Sequence, residues 1–174
     1  MILKNGQELI IRRAEKSDAQ QLIDYLNLVG GESDNLLFGE NGFHMTAEQE
    51  EDFIENINCS QASVLLVGFV DDMLVCVGSV FAGKRERIAH QGDVAMSVLK
   101  AYWGIGVGTA LMGAIIAFAK NTGTLEILHL GVKADNARAI RLYKKSGFQE
   151  IGRYPKFFKI RSEYHDEILM NLYL

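Results

Sequence analysis

The sequence predicts one α/β domain of the α+β type, with a mixed, mostly antiparallel sheet of about seven strands flanked by about four helices. Three observations predict it. Short β-branched apolar runs alternate with segments of helical period, two such runs flank a polar pair as in a hairpin, and a strand, a glycine loop, a helix and a further strand follow in order. The chain has 174 residues, enough for one core-bearing domain over 1–174 and too few for two ordinary domains with a linker.

Leu9 to Arg13 reads as the first strand. Ser17 then serves as an N-cap with Gln20 at the third helical position, ahead of Leu22, Ile23 and Leu26 on one face, and Gly30 and Gly31 end that helix. Thr46 and Gln49 repeat the capping signature before a second helix carrying Phe53, Ile54 and Ile57. Val64 to Val70 and Leu74 to Phe81 form a hairpin around Asp71 and Asp72. Lys84 to Arg87 form the next turn. In the strand from Asp93 to Val98, Val94, Met96 and Val98 point one way and Asp93, Ala95 and Ser97 the other. The third helix spans about Thr109 to Lys120, and Leu125 to Val132 returns as a strand. Asp135 and Asn136 cap a fourth helix that ends at Gly147 with cations in its last turn. Phe148 to Gly152 and Tyr164 to Leu174 complete the sheet.

Composition excludes several classes. Lys and Arg number 18 against 22 Asp and Glu, a net charge of −4, which removes the attraction to a phosphate backbone that nucleic-acid binding relies on. The longest apolar run, Thr109 to Ala119, is about half the length of a membrane-crossing helix, so no membrane partner is expected. Cys59 and Cys76 fall in no metal-like or CxxC spacing. With no leader-like segment at the start they read as reduced thiols of a cytoplasmic protein, and no metal is expected. There are 17 glycines against one proline, Pro155, so tight backbone geometry rests on permissive residues.

Those glycines concentrate in Tyr102-Trp103-Gly104-Ile105-Gly106-Val107-Gly108-Thr109, between a strand and a helix. Alternating glycines let the chain turn tightly and present successive N–H groups at the positive end of a helix dipole, a site suited to a pyrophosphate. No Gly-Lys-Ser/Thr follows, which excludes a P-loop. The spacing is not GxGxxG and the loop comes after several strands, which disfavours a dinucleotide fold. Tight strand-to-helix packing is the competing explanation for the glycines.

About 30 residues later comes a second pattern, with Asn136, Ala139, Leu142, Tyr143, Gly147 and Phe148 in the arrangement Asn-x-x-Ala-x-x-Leu-Tyr-x-x-x-Gly-Phe. Together with the glycine loop, this resembles the Gcn5-related N-acetyltransferase (GNAT) family over about residues 64 to 153. The family's loop reads (Gln/Arg)-x-x-Gly-x-(Gly/Ala), and here Trp103 stands at the Gln/Arg position, so a side-chain contact to phosphate is missing while the backbone amides of 104–109 remain.

The resemblance implies an acetyl-CoA-dependent N-acetyltransferase that moves an acetyl group to a primary amine of a small molecule or peptide by direct attack in a ternary complex. The alternative is a non-catalytic acyl-CoA-binding sensor of the same fold, against which Asn136 and Tyr143 speak. The cofactor-binding residues it implies are Met96, Val98, Trp103, Gly104, Ile105, Gly106, Val107, Gly108, Thr109, Asn136, Ala139 and Tyr143. The Val98 N–H would face the thioester oxygen, Tyr143 would protonate the departing thiolate, and Asp93, on the polar face of its strand, would take the amine proton directly or through water. His129, alone in an apolar run, reads as a satisfied core histidine. Glu48, Glu51, Asp52 and Glu55 read as a solvated helix face, with attraction of a cationic amine the alternative. Lys144 and Lys145 either meet a cofactor phosphate or answer the helix dipole. The first two helices and the segment from Arg153 to Tyr164 would build the acceptor groove. Edge strands near the C-terminus would allow a homodimer, though nothing in the sequence requires one.

Overall fold

A computed structural model describes residues 1–174. Seven strands form one sheet in the order β1-β2-β3-β4-β5-β7-β6. They are β1 (Ile10–Arg13), β2 (Val64–Val70), β3 (Met73–Ala82), β4 (Gln91–Val98), β5 (Ile127–Lys133), β6 (Gln149–Ile160) and β7 (Glu163–Tyr173), and the helices are α1 (Ala19–Glu32), α2 (Ala47–Asn58), α3 (Val107–Thr122) and α4 (Ala137–Lys145). Every neighbouring pair is antiparallel except β4 and β5.

The sheet separates two cores. On one face Leu111, Met112 and Ile115 of α3 pack with Val80, Leu128 and Met170. On the other, Leu22, Tyr25 and Val29 of α1 and Ile54 and Ile57 of α2 cover Leu65, Val67 and Val77. Alternation along β4 divides its residues between these faces. Met96 pairs with Gly78, whose missing side chain would point at Leu111 and Ile115 of α3. Asp93 pairs with Phe81, which packs on Phe53 of α2, and Ser97 bonds the hydroxyl of Tyr25 of α1 at 3.0 Å. Asp93, Ala95 and Ser97 therefore share the α1/α2 face, as their period requires.

The start of α1 departs from the sequence reading. A 3-10 turn (Lys16–Asp18) precedes it, and Asp18, not Ser17, organises the turn: its carboxylate accepts from the Glu15 N–H at 2.7 Å and is gripped by both terminal nitrogens of Arg12, at 2.6 and 2.8 Å. That guanidinium holds the Asp18 carboxyl below the usual carboxylate range. Nor do Gly30 and Gly31 end the helix, which runs on to Glu32. A side chain at Gly30 would strike the carbonyl of Gly39, so glycine here admits the following loop, which is tied down by the Phe43 N–H donating to Asn27 Oδ1 at 3.0 Å. Close approach, not termination, is what these residues permit.

The second helix begins as expected. Thr46 accepts from the Gln49 N–H at 3.2 Å and Gln49 Oε1 accepts from the Thr46 N–H at 2.9 Å, a capping box worth about 1 kcal/mol. Asp71 and Asp72 turn the hairpin with φ of 48° and 62°, the left-handed pair a two-residue turn demands. The sixth strand is longer than expected: β6 continues through Arg153 to Ile160, so most of the segment expected to line the groove is a hairpin arm, while β7 keeps the expected length. As the edge strand, β6 exposes Ile151, Tyr154 and Phe157, and two register shifts between β6 and β7 break the regularity another strand would need to pair with it. No helix is long and apolar enough to cross a membrane.

Candidate active site

The site begins where β4 and β5 part. They pair in parallel only at Gln91 with Ile127, Gly92 with Leu128 and Asp93 with His129, after which β4 stays with β3 and β5 with β7. The Leu99 N–H donates to Val75 O at 3.0 Å, which makes Val98 and Cys76 a non-hydrogen-bonded pair, so the N–H and C=O of Val98 point away from β3 into the gap. The carbonyl is taken by the indole N–H of Trp103 at 2.7 Å. The N–H is left facing the gap.

Trp103 thus anchors the start of the glycine loop to the end of β4. Arg138, from the first turn of α4, stacks on the indole with its guanidinium carbon 4.7 Å from the ring centroid. A guanidinium is brought beside the loop from another helix, at the position where the family's pattern has Gln or Arg.

Gly104 and Gly106 take φ of 84° and 112°, and a side chain at either would meet open space. That combination marks a backbone shaped as an open cradle. Gly106 is the N-cap of α3, the Ala110 N–H closes the first turn on Gly106 O at 3.0 Å, and the N–H groups of Val107, Gly108 and Thr109 lie ahead of it without helical partners. A diphosphate fits this donor set. Gly108 serves a different end: it lies inside α3, and a side chain there would come 3.3 Å from Leu142 of α4. The Val107 side chain is wholly buried and Ile105 packs against the core, so these two offer backbone alone. Met96 and Val98 lie on the α3 side of β4, beneath Gly108.

Asn136 caps α4 by accepting from the Ala139 N–H at 3.2 Å. Its oxygen is therefore committed, and its NH2 remains to donate. Tyr143, two turns along, is 8% exposed and packs on Phe148 with ring centroids 5.9 Å apart. Its hydroxyl bonds no other protein group, and burial pushes it up to about 12. Tyr143 therefore keeps its proton across the neutral range. Gly147, with φ of 98°, closes α4, where the Phe148 N–H returns to Tyr143 O at 3.0 Å. Lys144 and Lys145 occupy its last turn.

Of the remaining sequence-predicted groups, Asp93 is exposed on the α1/α2 face. His129 beside it departs from the core reading: it is half-buried and its Nδ1 lies 2.7 Å from Asn171 Oδ1 of β7. The acidic face of α2 turns toward the 3-10 turn, where Glu55 pairs with Lys16 at 2.7 Å. Past the end of β5 lies a pocket of about 300 Å³ lined by Ala134, Asp135, Arg153, Tyr164, His165 and Asp166.

Residues 34–148 match the acetyltransferase (GNAT) family. The chain belongs to this family. The acetyltransferase resembles a structure of a GNAT family acetyltransferase from Streptococcus pneumoniae at a TM-score of 0.93, with 31% identity over 96% of this chain and 99% of that one. An N-alpha-acetyltransferase from Sulfurisphaera tokodaii is 27% identical over 85% of this chain and 84% of its own length. A chain from Salmonella typhimurium, solved with its cofactor acetyl-CoA, shares the fold at a TM-score of 0.83 and 19% identity, over 95% and 94% of the two chains.

Three groups of this acetyltransferase escaped sequence reasoning. Lys133 is buried and held by both carboxylate oxygens of Asp135, at 2.7 and 2.6 Å. The Glu167 carboxylate fills the space a side chain at Gly131 would take, and burial pushes it upward while the His129 ring draws it back. Arg138 reaches Trp103. Only the glycine in Leu130-Gly131-Val132 hinted at any of these, and its spacing does not say what would fill the gap.

Proposed function

We propose that this N-acetyltransferase binds acetyl-CoA along the parted edges of β4 and β5 and passes the acetyl group directly to a primary amine of a small molecule or peptide. The observation that carries this reading is the gap itself: an open edge of β4 with the Val98 N–H facing it and the Gly104–Thr109 cradle at one end. A bound acetyl-CoA supplies the thioester. The cradle's amides hold its diphosphate, the Asn136 amide donates to the pantetheine chain, and the Val98 N–H polarises the carbonyl and stabilises the oxyanion.

Asp93, at the point of parting, meets the incoming ammonium and takes up its proton directly or through a water. Tyr143 donates to the sulfur as the thiolate leaves. No covalent enzyme intermediate is needed, since Cys76 is buried with its thiol pushed up to about 12 and Cys59 lies outside the site. A free thiol at exposed Cys59 suits a reducing, cytoplasmic setting. The name of the Sulfurisphaera tokodaii relative, an N-alpha-acetyltransferase, directs the acceptor toward α-amines. Release of CoA thiol, followed with a panel of amino acids, short peptides with free N-termini and polyamines, tests the reading. Acetyl-CoA should also raise the melting temperature where ATP and NAD do not. Binding without turnover on any amine would favour the sensor, and no response to acetyl-CoA would overturn the proposal.

A further inference from the structure

We propose that Arg138, carried on the face of Trp103, is the cation that meets the cofactor's diphosphate at the glycine loop. This rests on the acetyltransferase reading and gives a residue of α4 a role that the loop itself does not fill. From Ala101 to Thr109 the chain has no Lys or Arg, so the amides of the cradle face a doubly charged group with no countercharge among them.

The placement of Arg138 is unfavourable without an anion. It follows Asn136, the N-cap of α4, by two residues, where the helix dipole is positive and a cation is disfavoured. Lys144 and Lys145 take the favourable end, about 10 Å away along the axis. The carboxylate nearest in sequence, Asp135, is held through both oxygens by Lys133 at 2.7 and 2.6 Å. Arg138 is exposed and enters none of the protein's ion pairs. What holds it is the indole, with the guanidinium carbon 4.7 Å from the ring centroid. A guanidinium lying over a ring keeps its N–H donors at its rim, where two of them can take two oxygens of one phosphate group.

Packing aims the pair at the cradle. Leu142, one turn on from Arg138 along the same face of α4, stands against Gly108 in the first turn of α3, 3.3 Å from where a side chain would begin, and Val98 bounds the same spot at 4.0 Å. Trp103, which leads directly into Gly104, donates its indole N–H to Val98 O at 2.7 Å. Val98, Gly108, Leu142, Trp103 and Arg138 are therefore one connected cluster, with the guanidinium beside the entrance of the loop. Trp103 follows β4 in the chain and Arg138 follows β5, so the stack joins the two sides of the gap. A diphosphate held by both fastens α4, with Asn136 and Tyr143, to the loop.

The test measures binding by the full chain of acetyl-CoA, of its 3′-dephospho form and of S-acetylpantetheine, which has no phosphate. Calorimetry serves the first two and a chemical-shift titration, which tolerates weak binding, the third; circular dichroism melts report that each variant folds. Arg138→Gln should weaken acetyl-CoA and 3′-dephospho-acetyl-CoA by the same factor, about 10- to 100-fold, and leave the Kd of S-acetylpantetheine within about twofold. Arg138→Lys, which keeps the charge and loses the planar fork, should fall between. Trp103→Leu should weaken acetyl-CoA at least as much as Arg138→Gln, and the double variant should lose no more than Trp103→Leu alone, because the two side chains act as a unit. In the wild type, emission from Trp103, the chain's one tryptophan, should change on adding acetyl-CoA and saturate at the calorimetric Kd. Unchanged acetyl-CoA affinity in Arg138→Gln overturns the proposal. So does a loss that disappears with the 3′-dephospho form, which would assign Arg138 to the other phosphate, or an equal loss for S-acetylpantetheine, which would make it a shaping residue of the slot. Additive losses in the double variant overturn the platform. Each of these leaves the acetyltransferase reading standing, whereas a wild-type chain that does not bind acetyl-CoA overturns both.

Discussion

Glu50 offers a test of the packing argument that does not depend on activity. It sits in the first turns of α2, is 2% exposed, and its Oε2 is sealed from solvent with no hydrogen-bond partner. No cation pairs with it, and burial pushes its carboxyl upward from the ordinary value. A carboxyl whose folded value is raised binds its proton more tightly in the native state than in the unfolded chain. Its cost is therefore absent in acid, sets in as pH rises past the unfolded value of about 4.3, and is complete above the folded value. Replacing it with methionine, of similar length and without a polar atom to strand, removes a desolvation cost of about 1 to 3 kcal/mol. The other oxygen is not sealed, which places the gain in the lower half of that range, about 1 to 2 kcal/mol. For a chain of this size that is a rise in Tm of roughly 3 to 6 °C at pH 7. Glu50→Gln, which keeps a sealed polar atom, should gain less. Thermal melts followed by circular dichroism from pH 4 to pH 8 should show the gap between Glu50→Met and wild type widening with pH. A Met variant no more stable than wild type at pH 7, or a gap that does not vary with pH, would refute the reasoning.

Asp18 should behave in the opposite sense. Arg12 holds its carboxyl below the ordinary value, so its stabilisation is present above about pH 4 and is lost as pH falls further; Asp18→Asn should be less stable at pH 7, with the difference closing in acid melts. Tyr143→Phe should lower kcat by about 10²-fold while leaving the KM for acetyl-CoA nearly unchanged, and an unaltered kcat in the thiol-release assay would remove the tyrosine from the reaction. Gly106→Ala forces a side chain into a left-handed backbone at a cost of roughly 1 to 2 kcal/mol, so calorimetry should show acetyl-CoA binding weakened by about tenfold. Unchanged binding would mean that the loop's conformation is not what holds the cofactor.

Much of the fold was legible along the chain because it depends on neighbours. The Thr46 and Gln49 box, the Asp71-Asp72 turn, the helix from Asn136 to Gly147 and the helix-initiating glycine loop all express contacts within a few residues, and each stands where the sequence put it. Gly30 and Gly31 misled because glycine states only that a backbone is permissive. Whether that permission serves a helix end or the approach of Gly39 depends on the loop that folds back.

Function divides along the same line. By itself the sequence determined the family, through the paired patterns around Gly106 and Tyr143, and with it the chemistry those residues make available. Only the tertiary structure decided what surrounds that chemistry: Arg138 stacked on Trp103, Glu167 lying over Gly131, and His129 joined to Asn171 across a sequence separation of 42 residues. A hydrogen bond at that separation depends on strand order and register, and β7, the last strand in the chain, enters the sheet beside β5. Until it does, the ring next to Asp93 is a lone histidine in an apolar run.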